Sequence, residues 1–109
     1  MANVKQLPSE LRINGVNYEV VLCNGLNDGS SILYGEFDEQ KQTISINTKN
    51  QDLQGQWRTL LHEVCHAMLY EYDIANKGYD SRVPRDEETI CELFSRGFYQ
   101  LIADNRDKL

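Results

Sequence analysis

Residues 59–69 read TLLHEVCHAML and contain the pattern HEVCH within an apolar segment. Apolar residues recur at intervals of three and four from about Leu53 to Tyr72, which predicts one amphipathic helix. On a helix, His62 and His66 lie one turn apart on the same face, so both imidazoles can be directed at one metal ion. The spacing therefore predicts a metal site built on this helix.

Glu63 is offset by about 100° from His62 around the helix axis and need not bind the metal. Its carboxylate can instead accept a proton from a metal-bound water and pass it to a leaving amine. We expect this apolar helix to bury the two imidazoles and the carboxylate, which would cost several kcal/mol without partners. Metal coordination supplies those partners, whereas the alternative is an ordinary structural or surface helix.

His62 and His66 are the only two histidines of the chain. The third protein ligand must therefore be Glu, Asp or Cys, which excludes the three-histidine arrangement of metzincins and leaves a fourth position for water. A facing helix is the natural source of that ligand. The second predicted helix offers Glu87, Glu88, Cys91 and Glu92.

That second helix is predicted from about Pro84 or Asp86 to Ala103. One line along it joins Glu88 to four residues with helical spacing: Cys91, Ser95, Phe98 and Ile102. A second line joins Glu87 to four others: Ile90, Phe94, Gly97 and Leu101. The periodicity leaves Glu88 and Glu87 open as the third ligand, and Cys91 is a softer alternative.

The residues before the motif helix predict two hairpins. Asn14-Gly15 is a dipeptide typical of a type I′ turn, followed by a strand near residues 16 to 23. A second hairpin is predicted around the polar turn DEQKQ at residues 38–42. Strands first and helices last indicate an α+β fold, a small antiparallel or mixed sheet packed against the HExxH helix and a C-terminal helix.

The 109 residues fit a single domain, 1–109. A net charge of −6 with scattered Lys and Arg argues against nucleic acid as a partner. No apolar run approaches the roughly 20 residues of a membrane helix, and no signal core is present, so we expect a soluble, unexported protein. Three cysteines without paired spacing favour a reducing, cytoplasmic setting over a disulfide framework.

Three segments together resemble a known group: LYGEFDEQKQTISIN, TLLHEVCHAML and EETICELFSRGFYQLIADN. They are similar to the small gluzincins of the ImmA/IrrE type, particularly the short stand-alone versions of bacteriophage and prophage genomes. The resemblance covers about residues 16 to 105. Glu88-x-x-Cys91-x-x-Phe94-Ser95 fits the family pattern in register, and Glu87 does not. Cys65 and Cys91 depart from it.

The resemblance implies a zincin-like fold and a zinc metallopeptidase, a hydrolase with Zn²⁺ held by His62, His66 and Glu88. It implies Glu63 as general base and acid. The implied substrate is a protein or peptide such as a phage or host regulator, in the cytoplasm of a phage-infected or prophage-carrying bacterium. The alternative is a metal-containing protein-binding module, a regulator or anti-repressor without turnover.

Three further expectations concern the surroundings of the motif. The hairpin edge at about residues 42 to 48 would take an extended peptide by strand addition. Oxyanion stabilisation falls to a Tyr, an Arg or backbone donors, and the tyrosines considered are Tyr34, Tyr72, Tyr79 and Tyr99. Cys65 is either a small buried hydrophobe or a redox-sensitive thiol beside the ligands. The sequence does not predict the oligomeric state.

Overall fold

The computed structural model describes residues 5–75 and 87–109, and at helix residues 72–75, 87–89, 91–93 and 95 it describes the backbone alone. The fold is α+β, with a four-stranded mixed sheet and two helices. The elements in chain order are β1 (Glu10–Ile13), β2 (Val16–Cys23), β3 (Gly35–Asp38), β4 (Thr43–Asn47), α1 (Leu53–Ala75) and α2 (Glu87–Asp104). No helix among the described residues is long and apolar enough to cross a membrane.

The predicted Asn-Gly turn joins β1 to β2. Asn14 has φ 52° and Gly15 has φ 85°, the two positive values that a type I′ turn requires. Ile13 pairs with Val16 across the turn, and the strands run antiparallel. The first hairpin and the bounds of its second strand are therefore confirmed.

The second hairpin joins β3 to β4. The Asp38 carboxylate accepts hydrogen bonds from the backbone N–H groups of Gln40 and Lys41, at 3.1 Å each, and thereby closes the turn. Gln42 follows with φ 54° before β4 begins. Phe37 pairs with Ile44 in the antiparallel register.

Strand β4 lies in the interior of the sheet. The strand order is β1-β2-β4-β3, with β4 parallel to β2 and antiparallel to β3. The expectation that residues 42 to 48 form a free edge is therefore wrong, because β4 is hydrogen-bonded on both sides. The edge beside the second hairpin is β3. Ile44 and Ile46 are both fully buried, which explains why the more apolar strand of this hairpin takes the central position.

Both helices pack on one face of the sheet. The buried apolar residues on that face are Leu11, Ile13, Tyr18, Val20, Ile44 and Ile46 from the sheet, Leu60, Val64, Ala67 and Met68 from α1, and Leu101 from α2. Asp52 caps α1, since its carboxylate accepts a hydrogen bond from the Gly55 N–H at 2.8 Å. Among the described residues neither helix covers the other face of the sheet, which carries mainly polar side chains together with the half-buried Val21 and Cys23.

Helix α2 packs closely on α1 at Gly97. A Cβ added to Gly97 would lie 2.8 Å from the sulfur of Met68, so a side chain there would have to displace that methionine. Leu101, one turn later, is 2 % exposed, while Ile102 is 58 % exposed. Gly97 and Leu101 thus lie on the packed side of α2, and Phe98, which belongs to the other line, also packs against the core. Pro84 and Asp86, considered as the start of this helix, lie outside the described residues.

Tyr18 joins the sheet to α1 through a partly buried hydrogen bond. Its hydroxyl donates to the Glu71 carboxylate, and its ring contacts Phe37 with centroids 5.7 Å apart. Burial and the hydrogen bond to Glu71 raise the pKa of Tyr18 above its ordinary value. The folded protein therefore keeps this phenol protonated at a pH at which the unfolded chain releases the proton.

Replacing Tyr18 with Phe is expected to lower the free energy of unfolding by about 1 to 2 kcal/mol near neutral pH, because the Glu71 carboxylate loses its donor. In the wild type, a raised pKa contributes stability that is complete below the unfolded value and declines as pH rises above about 10. The stability difference between the two proteins should therefore shrink in alkaline solution. Urea unfolding at about pH 8 and about pH 10.5 measures it. A difference that stays constant would contradict the assignment.

Candidate metal centre

His62, Glu63 and His66 lie together in the middle of α1. One ligand atom from each residue lies within 4.8 Å of the other two. The two imidazole rings have centroids 4.9 Å apart and an interplanar angle of 77°. Both ring edges can therefore be directed at one point outside the helix, as the sequence spacing predicts.

The three residues differ in burial. Glu63 is 8 % exposed, whereas His62 and His66 are exposed to solvent. The expectation that the helix buries all three groups is wrong for the histidines, since this face of α1 lies beyond the sheet. The cost of a buried polar group without a partner thus applies to Glu63. Within residues 5–75 and 87–109, its carboxylate makes no hydrogen bond.

Burial raises the pKa of the Glu63 carboxyl above its ordinary value. The neighbouring imidazoles of His66 and His62 lower the pKa of Glu63, and the carboxylate of Glu36 adds to the increase. A carboxyl with a raised pKa is better suited to accept a proton from water and to release it again near neutral pH. The environment of Glu63 is compatible with the role that the sequence predicts.

An open depression of about 560 Å³ lies between β3 and α1 beside these residues. It is lined by Gly35, Glu36, Phe37, Glu63, His66 and Tyr70. Two of the three motif residues, Glu63 and His66, thus face the same space as β3, the last strand of the described sheet. The edge strand and the motif form one continuous site.

Gly35 brings the edge strand close to the motif. A Cβ built on Gly35 would lie 2.6 Å from Cγ2 of Thr59 and 3.2 Å from Cγ of Glu63. The φ of Gly35 is not in the left-handed region, so space rather than backbone conformation requires a glycine. Any side chain here would separate β3 from α1 at the position of Glu63.

A polar network holds the start of α1 against the sheet. The Gln51 side-chain amide donates to the carbonyl oxygens of Asn47, at 2.7 Å, and Tyr34, at 3.1 Å. The Thr59 hydroxyl donates to Oε1 of Gln51. Asn47 is fully buried, and its side chain accepts from the Gly25 and Lys49 N–H groups. The distance between β3 and Glu63 is therefore fixed from one end of α1.

The proposed third ligand, Glu88, lies on α2 in the first turn of that helix. Its side chain is outside the described residues, as are those of Glu87, Cys91 and Glu92. Phe94, Gly97 and Leu101, which pack toward α1 and the core, belong to the line that the sequence continues to Glu87, while Phe98, on the Glu88 line, packs against the core as well. Helix α2 as a whole packs against α1 and β1. The choice of Glu88 over Glu87 stays a prediction.

Comparisons of the chain with protein-family models, with curated proteins and with solved structures found no match. A function therefore has to be argued from the residues and their geometry.

Sequence reasoning missed Tyr70, which lines the depression. Tyr34 and Tyr99 are 59 % and 75 % exposed and do not line it. The side chain of Tyr72 and the whole of Tyr79 lie outside the described residues. Tyr70 lies four residues after His66, on the same helix face, and that spacing was the signal that could have found it.

Cys65 lies within the motif and is half-buried. Burial raises the pKa of its thiol, which keeps the sulfur in the less reactive protonated form. The environment of Cys65 favours the small-hydrophobe interpretation over the redox-sensitive one.

Proposed function

We propose that the protein is a zinc-dependent peptidase that hydrolyses a protein or peptide substrate held along β3. The observation that carries the proposal is the convergence of His62, Glu63 and His66 on one point beside the free edge of a sheet. The resemblance to small ImmA/IrrE-type gluzincins supports it, as does the environment of Glu63. A phage or host regulator is the substrate class that the resemblance implies.

The donor set fits zinc. Two imidazoles and one carboxylate are ordinary zinc ligands in hydrolytic sites, and three protein ligands leave a position for water. In this proposal His62, His66 and Glu88 hold the ion, and Glu63 remains free. Zinc held there supplies a Lewis acid that polarises a carbonyl group and acidifies a water molecule.

Glu63 performs the proton transfers. Its carboxylate takes a proton from the attacking water, and the protonated carboxyl then donates it to the departing amine nitrogen. The low exposure of Glu63, 8 %, limits competition from bulk water for this proton.

The substrate backbone pairs with β3. Gly35–Asp38 bonds to β4 on one side, and its other edge is unpaired within the part of the chain that the structure describes. An extended peptide can add to this edge through main-chain hydrogen bonds. Because the same edge borders the depression with Glu63 and His66, strand addition brings a peptide bond to the motif.

Zinc content tests the proposal directly. Purified wild-type protein, exposed to zinc and dialysed, is expected to hold about one equivalent, and His62→Ala less than about a tenth of one. Glu88→Ala is expected to lose zinc, while Glu87→Ala, the matched change at the neighbouring position, retains it. Elemental analysis of each protein measures this. Wild-type protein with as little zinc as His62→Ala would refute the metal centre.

A further inference from the structure

The side chains of β3 alternate between the two faces of the sheet. Gly35 faces Thr59 and Glu63 on α1, and Phe37 packs toward α1 as well. Strand alternation therefore directs Glu36, between them, toward the open face; Glu36 is exposed, and at this edge of the sheet it also borders the depression. A peptide strand added to this edge has the same alternation, so its successive side chains meet two different environments.

The environment on the helix side is aromatic. Phe37 and Tyr70 contact each other edge to face, with centroids 5.9 Å apart and an interplanar angle of 64°. Both line the depression. Next to them Gly35 lies directly against Thr59 and Glu63, and the depression opens beside this contact. Substrate side chains on this side meet aromatic carbon and open space, an environment that favours apolar groups.

The environment on the open face is acidic. Within residues 5–75 and 87–109, the Glu36 carboxylate is in no ion pair. The register aligns Glu10, Glu19, Thr43 and Asp38 in one row across the same face. The cations near this row lie at β1, the far edge strand: Arg12 donates a hydrogen bond to Asn17 at 3.3 Å, and Lys108 forms an ion pair with Glu10 at 3.8 Å. Cross-strand pairs of opposite charge are favourable, so a Lys or Arg fits opposite Glu36.

We propose that β3 selects an extended peptide in which a basic residue, opposite Glu36, is flanked on both sides by apolar residues that turn toward Phe37 and Tyr70. This proposal rests on the proposed function and names the substrate pattern of the same site. The net charge of −6 favours a basic peptide in general, and Glu36 specifies the position in the peptide at which the basic residue binds.

Peptide binding tests the pattern without requiring turnover. The full-length Glu63→Gln protein, loaded with zinc, is titrated against labelled ten-residue peptides with a central Phe-Lys-Leu, Phe-Glu-Leu or Ser-Lys-Ser. Phe-Lys-Leu is expected to bind at least about tenfold more tightly than either of the others, and added salt should reduce its advantage over Phe-Glu-Leu. Fluorescence anisotropy gives the Kd values. Equal affinities, or no binding of any peptide, would overturn the proposal.

Variants of the protein test whether Glu36 causes the preference for a basic residue and Tyr70 the preference for apolar neighbours. Adding Glu36→Lys should reverse the choice between Phe-Lys-Leu and Phe-Glu-Leu. Glu10→Lys makes the same charge change on the far edge strand, where it also removes the ion pair with Lys108, and should leave that choice as it is. Tyr70→Ala should bring Phe-Lys-Leu close to Ser-Lys-Ser while keeping the charge preference. A Glu36→Lys protein that still prefers Lys would refute the role of Glu36.

Turnover separates this proposal from the peptidase function. Zinc-loaded wild-type protein is incubated with the same peptides, and mass spectrometry detects cleavage. If the predicted pattern binds but is not cut, the peptidase function fails and the binding pattern stands. If peptides are cut and bound without regard to the pattern, the pattern fails and the peptidase function stands.

Discussion

Replacing Glu63 with Gln is expected to lower kcat for peptide hydrolysis by about 10²- to 10⁴-fold while the zinc content stays near the wild-type value. Glutamine has nearly the same shape as glutamate but cannot accept a proton from water. The side chain is 8 % exposed, so bulk water cannot readily replace it as the proton acceptor. Cleavage assays and elemental analysis of the same preparations measure the two quantities.

Glu39→Gln is the matched control, because it makes the same chemical change in the exposed turn between β3 and β4. We expect it to keep kcat within about twofold of the wild type. If Glu63→Gln retained full activity, another group would have to move the proton, and the proposed role of Glu63 would be wrong.

Glu63→Gln also separates an enzyme from a binding module, the alternative that the sequence leaves open. A module that only binds a regulator requires the fold and the metal but does not require a proton acceptor. Loss of the biological effect in Glu63→Gln, with zinc and thermal stability preserved, excludes binding alone. A retained effect together with absent cleavage would favour the module.

The first turn and helix α1 were predictable because the sequence patterns that specify them lie within one short segment each. Asn14 and Gly15 adopt the positive φ values that their dipeptide favours. The period of three to four residues that marks α1 is a property of one segment, and the helix begins at Leu53 as predicted. Both signals act between neighbours in the chain, so tertiary packing does not change them.

The order of the strands was not predictable from the hairpins. A hairpin pattern specifies that β3 pairs with β4, but it does not specify which of the two meets β2. The structure resolves this through burial, since Ile44 and Ile46 are fully covered only in the central position. The peptide edge thereby moves from β4 to β3. Exposure of His62 and His66 depends on the same packing, because β3 and β4 cover only part of α1.

The site was predictable as far as it lies on one helix. His62, Glu63 and His66 are within five residues of one another, and their grouping follows from helix geometry. Gly35 and Phe37 reach the motif through tertiary packing of β3 on α1. No sequence pattern around these two residues predicts that contact. A glycine in a short strand indicates that another segment approaches the strand closely, but it does not indicate which segment.

Replacing Gly35 with Ala is therefore expected to damage both stability and catalysis. The new methyl group would lie 2.6 Å from Cγ2 of Thr59, and 3.2 Å from both Cγ of Glu63 and the carbonyl oxygen of Ser45. Because neither Ser45 in the sheet nor Thr59, held by Gln51, can shift freely, β3 must move away from α1. Overpacking of this kind costs about 1 to 3 kcal/mol. Displacement of the peptide edge by about 1 Å is expected to lower kcat/KM by about 10²-fold.

A double-mutant cycle identifies the contact responsible. Thr59→Ser removes Cγ2, the atom nearest the new methyl group, and keeps the hydroxyl that donates to Gln51. In the Gly35→Ala background it should therefore recover a large part of the lost stability and activity, although alone it costs stability. Urea unfolding and kcat/KM of the four proteins give the coupling energy, which we expect to be about 1 kcal/mol or more. Additive effects would show that contact with Thr59 is not the reason why residue 35 must be glycine. Full activity of Gly35→Ala would show that catalysis does not depend on the close packing of β3 against the motif.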